Sequence, residues 1–178
     1  MERREDNQPQ GVILETPRLV IRRWREDDAE ALFRYASDLR VSEMALWPCH
    51  TSVEMSRQVI CDYFIPNTEN YAMVLKELDE PIGCIGLVPS GDEHFPVRDG
   101  EREVGYWIGY PHWGKGITTE ALQCLLSFWK EKRGIKSLII TTDAENIGSQ
   151  HVAEKCGFRF VKEYDFDGVL SRLYRKIF

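Results

Sequence analysis

The chain has 178 residues, enough to bury one sizeable core and a little short for two independent ones. Hydrophobic residues make up 43% and charged residues 29%, the balance of a soluble globular protein, and no apolar run approaches the about 20 residues that span a bilayer. The formal charge of −6 argues against nucleic acid as the main ligand, because binding a phosphate backbone requires a basic surface. A cationic partner suits this charge better.

Cysteine usage and the first residues limit the class of protein further. The five cysteines are an odd number, form no CxxC pair and have no histidine at metal-ligand spacing, so we expect free buried thiols and no metal. The polar residues 1–11 contain no apolar stretch that would form a secretory signal. We therefore expect a disordered tail at 1–11, a single domain at 12–178, and a cytoplasmic protein with no membrane partner.

In the first half of the chain, residues 18–24 read as a strand, and Asp27-Asp28 can cap the helix that follows. A capping box of Thr51 with Glu54 predicts a second helix, which ends at Pro66. The apolar faces of these two helices are Ala29, Leu32, Phe33 and Ala36, then Val53, Val59, Ile60, Tyr63 and Phe64.

From residue 70 the hydrophobic period becomes that of strands. Residues 71–75 and 81–88 predict an antiparallel hairpin across the acidic turn 78–80. The elements predicted after it are a strand at 103–109, a helix at 117–132 ended by Gly134, a strand at 137–142, a helix at 146–156 ended by Gly157, and strands at 158–164 and 169–177. This order is mixed α/β with a strand–helix–strand crossover in the middle.

The segment 111–121, Pro-His-Trp-Gly-Lys-Gly-Ile-Thr-Thr-Glu-Ala, places two glycines between a strand and the first turn of a helix. A helix start exposes unpaired N–H groups and a partial positive charge, and glycines let a diphosphate approach the main chain. Alone, such a turn is equally compatible with a tight connection that binds nothing. Neither the dinucleotide fingerprint nor the phosphate-binding GxxxxGK[ST] pattern is present.

A second segment, 146–158, reads Asn-Ile-Gly-Ser-Gln-His-Val-Ala-Glu-Lys-Cys-Gly-Phe and lies one predicted strand later. The pair at this separation resembles the GCN5-related N-acetyltransferases (GNAT), particularly the branch of ribosomal-protein N-terminal acetyltransferases of the RimJ/RimL type. Segments 14–19 and 47–51 resemble the same branch, and the resemblance runs from about residue 12 to 177.

The resemblance implies an α/β (α+β) GNAT fold: a central mixed, mostly antiparallel sheet of about six to seven strands with a splayed parallel pair, flanked by about four helices. It implies transfer of acetyl from acetyl-coenzyme A to a primary amine, either a protein N-terminal α-amine or a small-molecule amine. Transfer would be direct, in a ternary complex without a covalent enzyme intermediate. A non-catalytic coenzyme A or acyl-coenzyme A sensor of the same fold is the alternative.

By the same resemblance, the pantetheine arm would hydrogen-bond main-chain groups of Trp107, Ile108 and Gly109, and a strand amide near Trp107 would hold the oxyanion. The diphosphate would lie on amides of Trp113, Gly114, Lys115, Gly116, Ile117 and Thr118. Trp113 and Thr118 depart from the commoner family pattern, although contacts through the main chain tolerate such changes. Asn146 would contact the arm, and its position equally suits a simple helix N-cap.

The resemblance also suggests the acid and the base. Ser149 would donate a proton to the departing thiolate, or is an ordinary serine of a first helical turn. Deprotonating an α-amine of pKa near 8 costs about 1.4 kcal/mol at pH 7 and a lysine about 4.6 kcal/mol, so a base assists. Glu103 is the expected base through a water, with a solvated strand-edge charge as the alternative, and Glu101 on the same face is the fallback.

Aromatic and histidine residues complete the candidates. Trp47, His50 and Tyr106 would wall the acceptor site, or serve only in packing. His112 and His151 are expected to face solvent, since neither has a partner at the spacing of a triad or a metal site, and His94 lies in a loop with no evident role. The acceptor, the acyl preference and the choice between monomer and homodimer stay open.

Overall fold

A computed structural model describes residues 12–178, in which one eight-stranded sheet has the order β1-β2-β3-β4-β5-β6-β8-β7. The strands are β1 (Val12–Glu15), β2 (Leu19–Arg23), β3 (Asn70–Leu75), β4 (Glu80–Leu87), β5 (Glu101–Ile108), β6 (Ser137–Asp143), β7 (Arg159–Phe166) and β8 (Val169–Ile177). The α-helices are α1 (Ala29–Ala36), α2 (Leu39–Ala45), α3 (Val53–Val59), α4 (Ile117–Arg133) and α5 (Ile147–Lys155). Within the described range, no helix is long and apolar enough to cross a membrane. The tail expected at 1–11 lies outside the described residues.

The fold class is confirmed: the sheet is mostly antiparallel, and β5 with β6 is its parallel pair, joined through α4. Helix α4 has the apolar face that its sequence predicts, and the left-handed Gly134 (φ 64°) ends it. The residues of that face are fully buried or nearly so: Ala121, Leu122, Leu125, Leu126 and Trp129. They pack in the main core, against the sheet.

The sequence does not predict two elements of the structure, β1 and α2. Strand β1 is only four residues long and pairs with β2 through an irregular register. Helix α2 buries only Val41 and Ser42, so it shows no repeating apolar face, although Asp38 caps it by accepting from the Arg40 amide. The sheet therefore has eight strands instead of six to seven, and five α-helices flank it in the described chain instead of four.

The predicted caps of the first helices need correction. Ser52 rather than Thr51 caps α3, since its side chain accepts from the Met55 amide at 3.0 Å. Asp28 does not cap α1 with its side chain; it forms a bidentate, buried ion pair with Arg22. Helix α3 continues into a wider π-type turn, and there Tyr63, which was expected to face inward, is 69% exposed.

The parallel pair separates after a short contact. Strand β5 pairs with β6 only from Glu101 to Glu103, opposite Ser137 to Ile139. Beyond Glu103, β5 remains paired with β4 on its other side as far as Ile108, and β6 remains paired with β8 through its full length. A wedge-shaped gap therefore opens between β5 and β6, which is the splayed pair that the sequence reading expected.

A buried ion pair stabilises the closed end of this gap. The Glu101 carboxylate, with no exposed side-chain surface, accepts from Arg175 Nε at 2.7 Å and from Ser137 Oγ at 2.9 Å. Burial alone would raise the pKa of Glu101, but the bonds from Arg175, the Arg98 amide and Ser137 hold it below its usual value. The resulting stabilisation is present above the ordinary glutamate pKa and is lost as the pH falls through the lowered one.

Replacing Arg175 with methionine should lower the free energy of unfolding by about 3–5 kcal/mol, because a buried carboxylate then loses its counter-charge. Urea denaturation measures this, with Arg159→Met on the exposed surface of β7 as the matched control, expected within about 0.5 kcal/mol of wild type. Adding Glu101→Gln to Arg175→Met should restore part of the loss. Equal stability of wild type and Arg175→Met would contradict a structural role for this pair.

Candidate active site

The main chain of β5 presents free polar groups to the gap at alternate residues. The Glu103 carbonyl accepts from the amide of Val88, just after β4, at 2.9 Å. The Gly109 amide donates to the carbonyl of Ile82 in β4 at 2.8 Å. Because hydrogen bonding alternates along an antiparallel strand, Tyr106 and Ile108 turn their N–H and C=O groups toward the gap, while Trp107 turns its groups toward β4.

This alternation narrows the set of main-chain groups available to the pantetheine arm. Of the expected residues, Ile108 faces the gap, and Tyr106 joins it. The Gly109 amide is already bonded, and a Cβ on Gly109 would lie 2.3 Å from the Tyr35 ring, so this glycine serves close packing. The Trp113 indole donates to the Ile108 carbonyl at 2.8 Å, which leaves the Ile108 N–H and both Tyr106 groups free for a ligand.

The glycine turn before α4 has the backbone that an anion requires. Gly114 and Gly116 have φ of 69° and 73°, the left-handed region in which glycine avoids the strain of a side chain. Gly116 is the N-cap and supplies no capping side chain. Within residues 12–178, the amides of 114–119 have no hydrogen-bond acceptor, so a row of free N–H groups lies at the positive end of α4.

The segment 14–19 holds this turn in place. Glu120, in the first turn of α4, accepts from Arg18 Nε at 2.7 Å, from the Arg18 amide at 3.0 Å and from the Thr16 hydroxyl. Arg18 also donates to the Lys115 carbonyl at 2.9 Å. The residues between β1 and β2 are therefore tied directly to the glycine turn, about a hundred positions later in the chain.

Tyr106 and Ser149 bridge the gap on the side of α5. The Tyr106 hydroxyl lies 2.9 Å from Ser149 Oγ and donates to the Ser149 carbonyl at 3.0 Å. Burial raises the pKa of Tyr106, so its hydroxyl stays protonated at neutral pH. Asn146 caps α5 by accepting from the Ser149 amide at 3.1 Å, which confirms the N-cap interpretation of its side chain.

Two cavities meet at this bridge. The smaller, of about 510 Å³, is lined by the glycine turn and the first turns of α4 and α5. The larger, of about 860 Å³, is lined by the segment around α2 and α3, by the loop between β4 and β5, and by strand residues on the other side of the gap. The walls common to both cavities include Tyr106, Trp107, Asn146 and Ser149.

Glu103 is buried, which excludes the alternative of a solvated strand-edge charge. Its side chain is 2% exposed and lies where β5 and β6 part. It accepts hydrogen bonds from the Thr141 hydroxyl, from the His94 amide at 2.7 Å and from His94 Nδ1 at 3.0 Å. His94, which sequence reasoning left without a role, is therefore the direct partner of Glu103. No local pattern predicts this contact, because it depends on how the loop between β4 and β5 folds back.

Glu101 does not form part of this arrangement, although it lies two residues away on the same strand. Its side chain is buried and paired with Arg175, and it lines neither cavity. The fallback interpretation of Glu101 as a base is therefore wrong, because its carboxylate has no access to either cavity.

The aromatic residues expected around an acceptor do line the larger cavity. Trp47 packs edge-on against Trp107, with ring centroids 5.7 Å apart, and lies 5.3 Å from the His50 ring. His50 is buried, and its Nδ1 lies 2.7 Å from the Ser56 hydroxyl. Burial lowers the pKa of His50, so the ring is neutral at physiological pH.

The two remaining histidines differ in their surroundings. His151 is exposed on α5, as expected. His112 is 8% exposed and packs against Tyr35, with ring centroids 5.5 Å apart, so the expectation that it faces solvent is wrong. The short 3₁₀ turn after β5 directs it inward, and burial lowers its pKa.

The two cavities differ in their electrostatics. The charged residues on the wall of the larger cavity are Asp92, Glu103 and Asp143, with no lysine or arginine among its lining residues in the described chain. The smaller cavity has Lys155 and Glu145 on its wall, so its attraction for an anion comes mainly from the free amides at the start of α4. One side of the gap therefore suits an anionic ligand, and the other suits a cationic one.

Comparison with known proteins identifies the family. Residues 18–159 match the family model of the acetyltransferase (GNAT) domain, and the chain therefore belongs to the GNAT family and is an N-acetyltransferase. An uncharacterised N-acetyltransferase, p20, from Bacillus licheniformis is 30% identical over 150 residues, 82% of each chain. The ribosomal-protein-serine acetyltransferase of Escherichia coli is 29% identical over 116 residues, 63% of this chain and 62% of its own.

A solved structure supports the fold. The ribosomal α-N-protein acetyltransferase RimL, in complex with coenzyme A, superposes with a TM-score of 0.76 at 20% identity, covering 93% of this chain and 97% of that one. At this identity the similarity establishes the fold.

Glu120→Gln should loosen the glycine turn, because it removes the negative charge that accepts hydrogen bonds from Arg18 and Thr16. We expect faster hydrogen exchange of the bonded amides in the first turn of α4, which begin at Glu120, and a loss of about 1–2 kcal/mol of stability. Exchange followed by mass spectrometry measures the first effect. Glu131→Gln, on the exposed face of the same helix, is the control and should change neither. Unchanged hydrogen exchange in Glu120→Gln would contradict the conclusion that the contacts of Glu120 with Arg18 and Thr16 hold the glycine turn.

Proposed function

We propose that the protein transfers the acetyl group of acetyl-coenzyme A to a primary amine by direct transfer in a ternary complex, and that the preferred acceptor is the N-terminal α-amine of a protein. The observation that carries this proposal is that a cavity lined by free amides and a cavity lined by carboxylates meet at the gap between β5 and β6. Acetyl-coenzyme A would occupy the smaller cavity and the amine the larger one. Their reacting atoms would meet beside Tyr106 and Ser149.

In the smaller cavity, the free amides of 114–119 suit a diphosphate. The resemblance implied residues 113–118, but the Trp113 amide already donates to the Tyr110 carbonyl at 3.1 Å. The main chain of Tyr106 and Ile108 would pair with the pantetheine arm as an added strand does. Asn146, already an N-cap, lines both cavities and would contact the arm as well. When bound, acetyl-coenzyme A supplies the thioester.

On the acceptor side, the charge and the walls favour an amine attached to an apolar group. Asp92, Glu103 and Asp143 attract a cation and repel an anion, while Trp47 and His50 add an aromatic wall. An α-amine suits this site better than lysine, because its deprotonation at pH 7 costs about 3 kcal/mol less. The Escherichia coli relative named a ribosomal-protein-serine acetyltransferase supports a protein acceptor.

In the transfer, the amine nitrogen attacks the thioester carbonyl, an N–C bond forms, the C–S bond breaks and the nitrogen loses one proton. A main-chain N–H of Tyr106 or Ile108, the strand residues on either side of Trp107, would hold the carbonyl oxygen. The Ser149 hydroxyl, bonded to Tyr106, would give a proton to the departing sulfur. Its hydroxyl is then reprotonated from solvent.

Direct transfer without a covalent enzyme intermediate agrees with the state of the cysteines. Cys84 lines the larger cavity, but burial raises the pKa of its thiol to about 12. Burial likewise raises the pKa of Cys156 to about 11. Both thiols stay protonated at neutral pH and are poor nucleophiles.

The rival function, a non-catalytic acyl-coenzyme A sensor, has one observation in its favour. Glu103, the carboxylate expected to act as base, is buried, and hydrogen bonds engage both of its oxygens. A sensor needs no base, so turnover decides between the two functions.

The proposal predicts saturable binding of acetyl-coenzyme A by calorimetry and release of free thiol when a peptide with an unblocked N-terminus is added. The matched control is the same peptide with a blocked N-terminus and one lysine, which should release thiol at least about tenfold more slowly. Binding without thiol release from any amine would favour the sensor. Absence of binding would contradict the role given to the glycine turn.

Ser149→Ala should reduce kcat by about 10²-fold and leave acetyl-coenzyme A affinity within about twofold, because the lost hydroxyl acts on the departing thiolate. Steady-state kinetics with calorimetry separate the two effects. Ser127→Ala, on the exposed face of α4, is the control. An unchanged kcat in Ser149→Ala would remove Ser149 from the mechanism.

A further inference from the structure

The Glu103 carboxylate lies at the wall of the larger cavity, but its hydrogen bonds and burial leave little of it open to a substrate. One oxygen accepts from His94 Nδ1 at 3.0 Å and from the Thr141 hydroxyl, and the other accepts from the His94 amide at 2.7 Å. Only 2% of the side chain is exposed. Three of the about four acceptor positions of this carboxylate are therefore occupied, which leaves little room for a proton from the acceptor amine or from a water beside it.

His94 has the accessibility that Glu103 lacks. Its side chain is 47% exposed and forms part of the wall of the larger cavity, on the side where the amine would enter. Since a carboxylate only accepts, Nδ1 must carry the proton in this contact, and the neutral ring then has its lone pair on Nε2. In residues 12–178, Nε2 has no hydrogen-bond partner.

We propose that His94 Nε2 is the proton acceptor for the amine, and that Glu103 is a positioning residue that orients the imidazole and stabilises its cationic form. This inference rests on the proposed function. As the N–C bond forms, the amine proton passes to Nε2, giving an imidazolium that stays paired with Glu103. The exposed ring returns the proton to solvent after the product leaves.

The surroundings of the ring agree with this assignment. Phe166 of β7 packs on it edge-on, with centroids 5.2 Å apart, which fixes the ring plane. The charged groups that act on it are Glu103 from β5 and Asp92 from its own loop. Tyr164 of β7 lines the same cavity and is uncharged, because burial raises its pKa. The hydrogen bond to Glu103 raises the pKa of His94 above its usual value, against the opposing effect of burial.

A raised pKa gives a pH dependence with a defined sign. The base form of His94 is present above its pKa, so kcat/KM, corrected for the fraction of neutral acceptor amine, should rise with pH through a midpoint above about 6.5. Glu103→Gln removes the charge that stabilises the imidazolium, and the midpoint should fall back toward about 6.5. The rival explanation, in which His94 only anchors the loop between β4 and β5, predicts no such shift.

The first test is His94→Asn, because the asparagine amide can occupy the position of Nδ1 and donate to Glu103, yet has no basic nitrogen. Thiol release should fall by about 10²-fold or more, while calorimetric affinity for acetyl-coenzyme A and the melting temperature stay near wild type. Asp99→Asn, at the exposed far end of the same loop, is the control and should retain full activity.

The second test measures the ring itself in wild-type protein. The chain has 4 histidines, so His94 can be assigned in ring ¹H–¹⁵N spectra by comparison with His94→Asn. Its titration midpoint should match that of kcat/KM, and both should move down together in Glu103→Gln.

Two outcomes would overturn the inference alone: wild-type turnover retained in His94→Asn, or a kcat/KM midpoint that does not follow the His94 titration. Wild-type protein that binds acetyl-coenzyme A yet acetylates no amine would instead reject the proposed function, and this inference with it. The wild-type assay therefore separates the two failures before any variant is compared.

Discussion

The separation of β5 from β6 after Glu103 is the constraint on which the site depends. Each strand is held by its outer neighbour, β5 by β4 and β6 by β8, so the two cannot close the gap by pairing with each other. The buried Glu101–Arg175 ion pair fixes the closed end, and the Tyr106–Ser149 contact spans the open end. The protein thereby carries unpaired main-chain groups inside a rigid sheet, which is a preformed site for an extended ligand.

The two sides of this gap differ in electrostatics because different elements supply them. Free amides at the start of α4 make one side attractive to anions, and carboxylates on β5, β6 and the loop after β4 make the other side attractive to cations. Glu103 sits where the strands part, and there it pairs with His94 instead of facing solvent. The proposed transfer from an anionic cosubstrate to an amine rests on this difference.

Elements with long periodic patterns or strong local signals could be predicted from sequence. Helix α4 was predicted from its apolar face and Gly134, and α5 from Asn146 at its start. Strand β1 and helix α2 are too short or too exposed for periodicity to detect. The site divides in the same way: the glycine turn is a local signal, whereas the contacts of His94 with Glu103 and of Arg18 with Glu120 arise only from tertiary folding. His112 was wrongly expected at the surface because its burial depends on Tyr35 from α1.

The most direct test of the gap as the binding site is to map amide chemical shifts of ¹⁵N-labelled protein during titration with acetyl-coenzyme A. If acetyl-coenzyme A binds in the gap, we expect the largest chemical-shift changes at the amides of Tyr106 and Ile108 and of residues 114–119. Little change is expected along the outer strand β7. Large changes confined to other surfaces, with Tyr106 and Ile108 unaffected, would contradict binding in the gap.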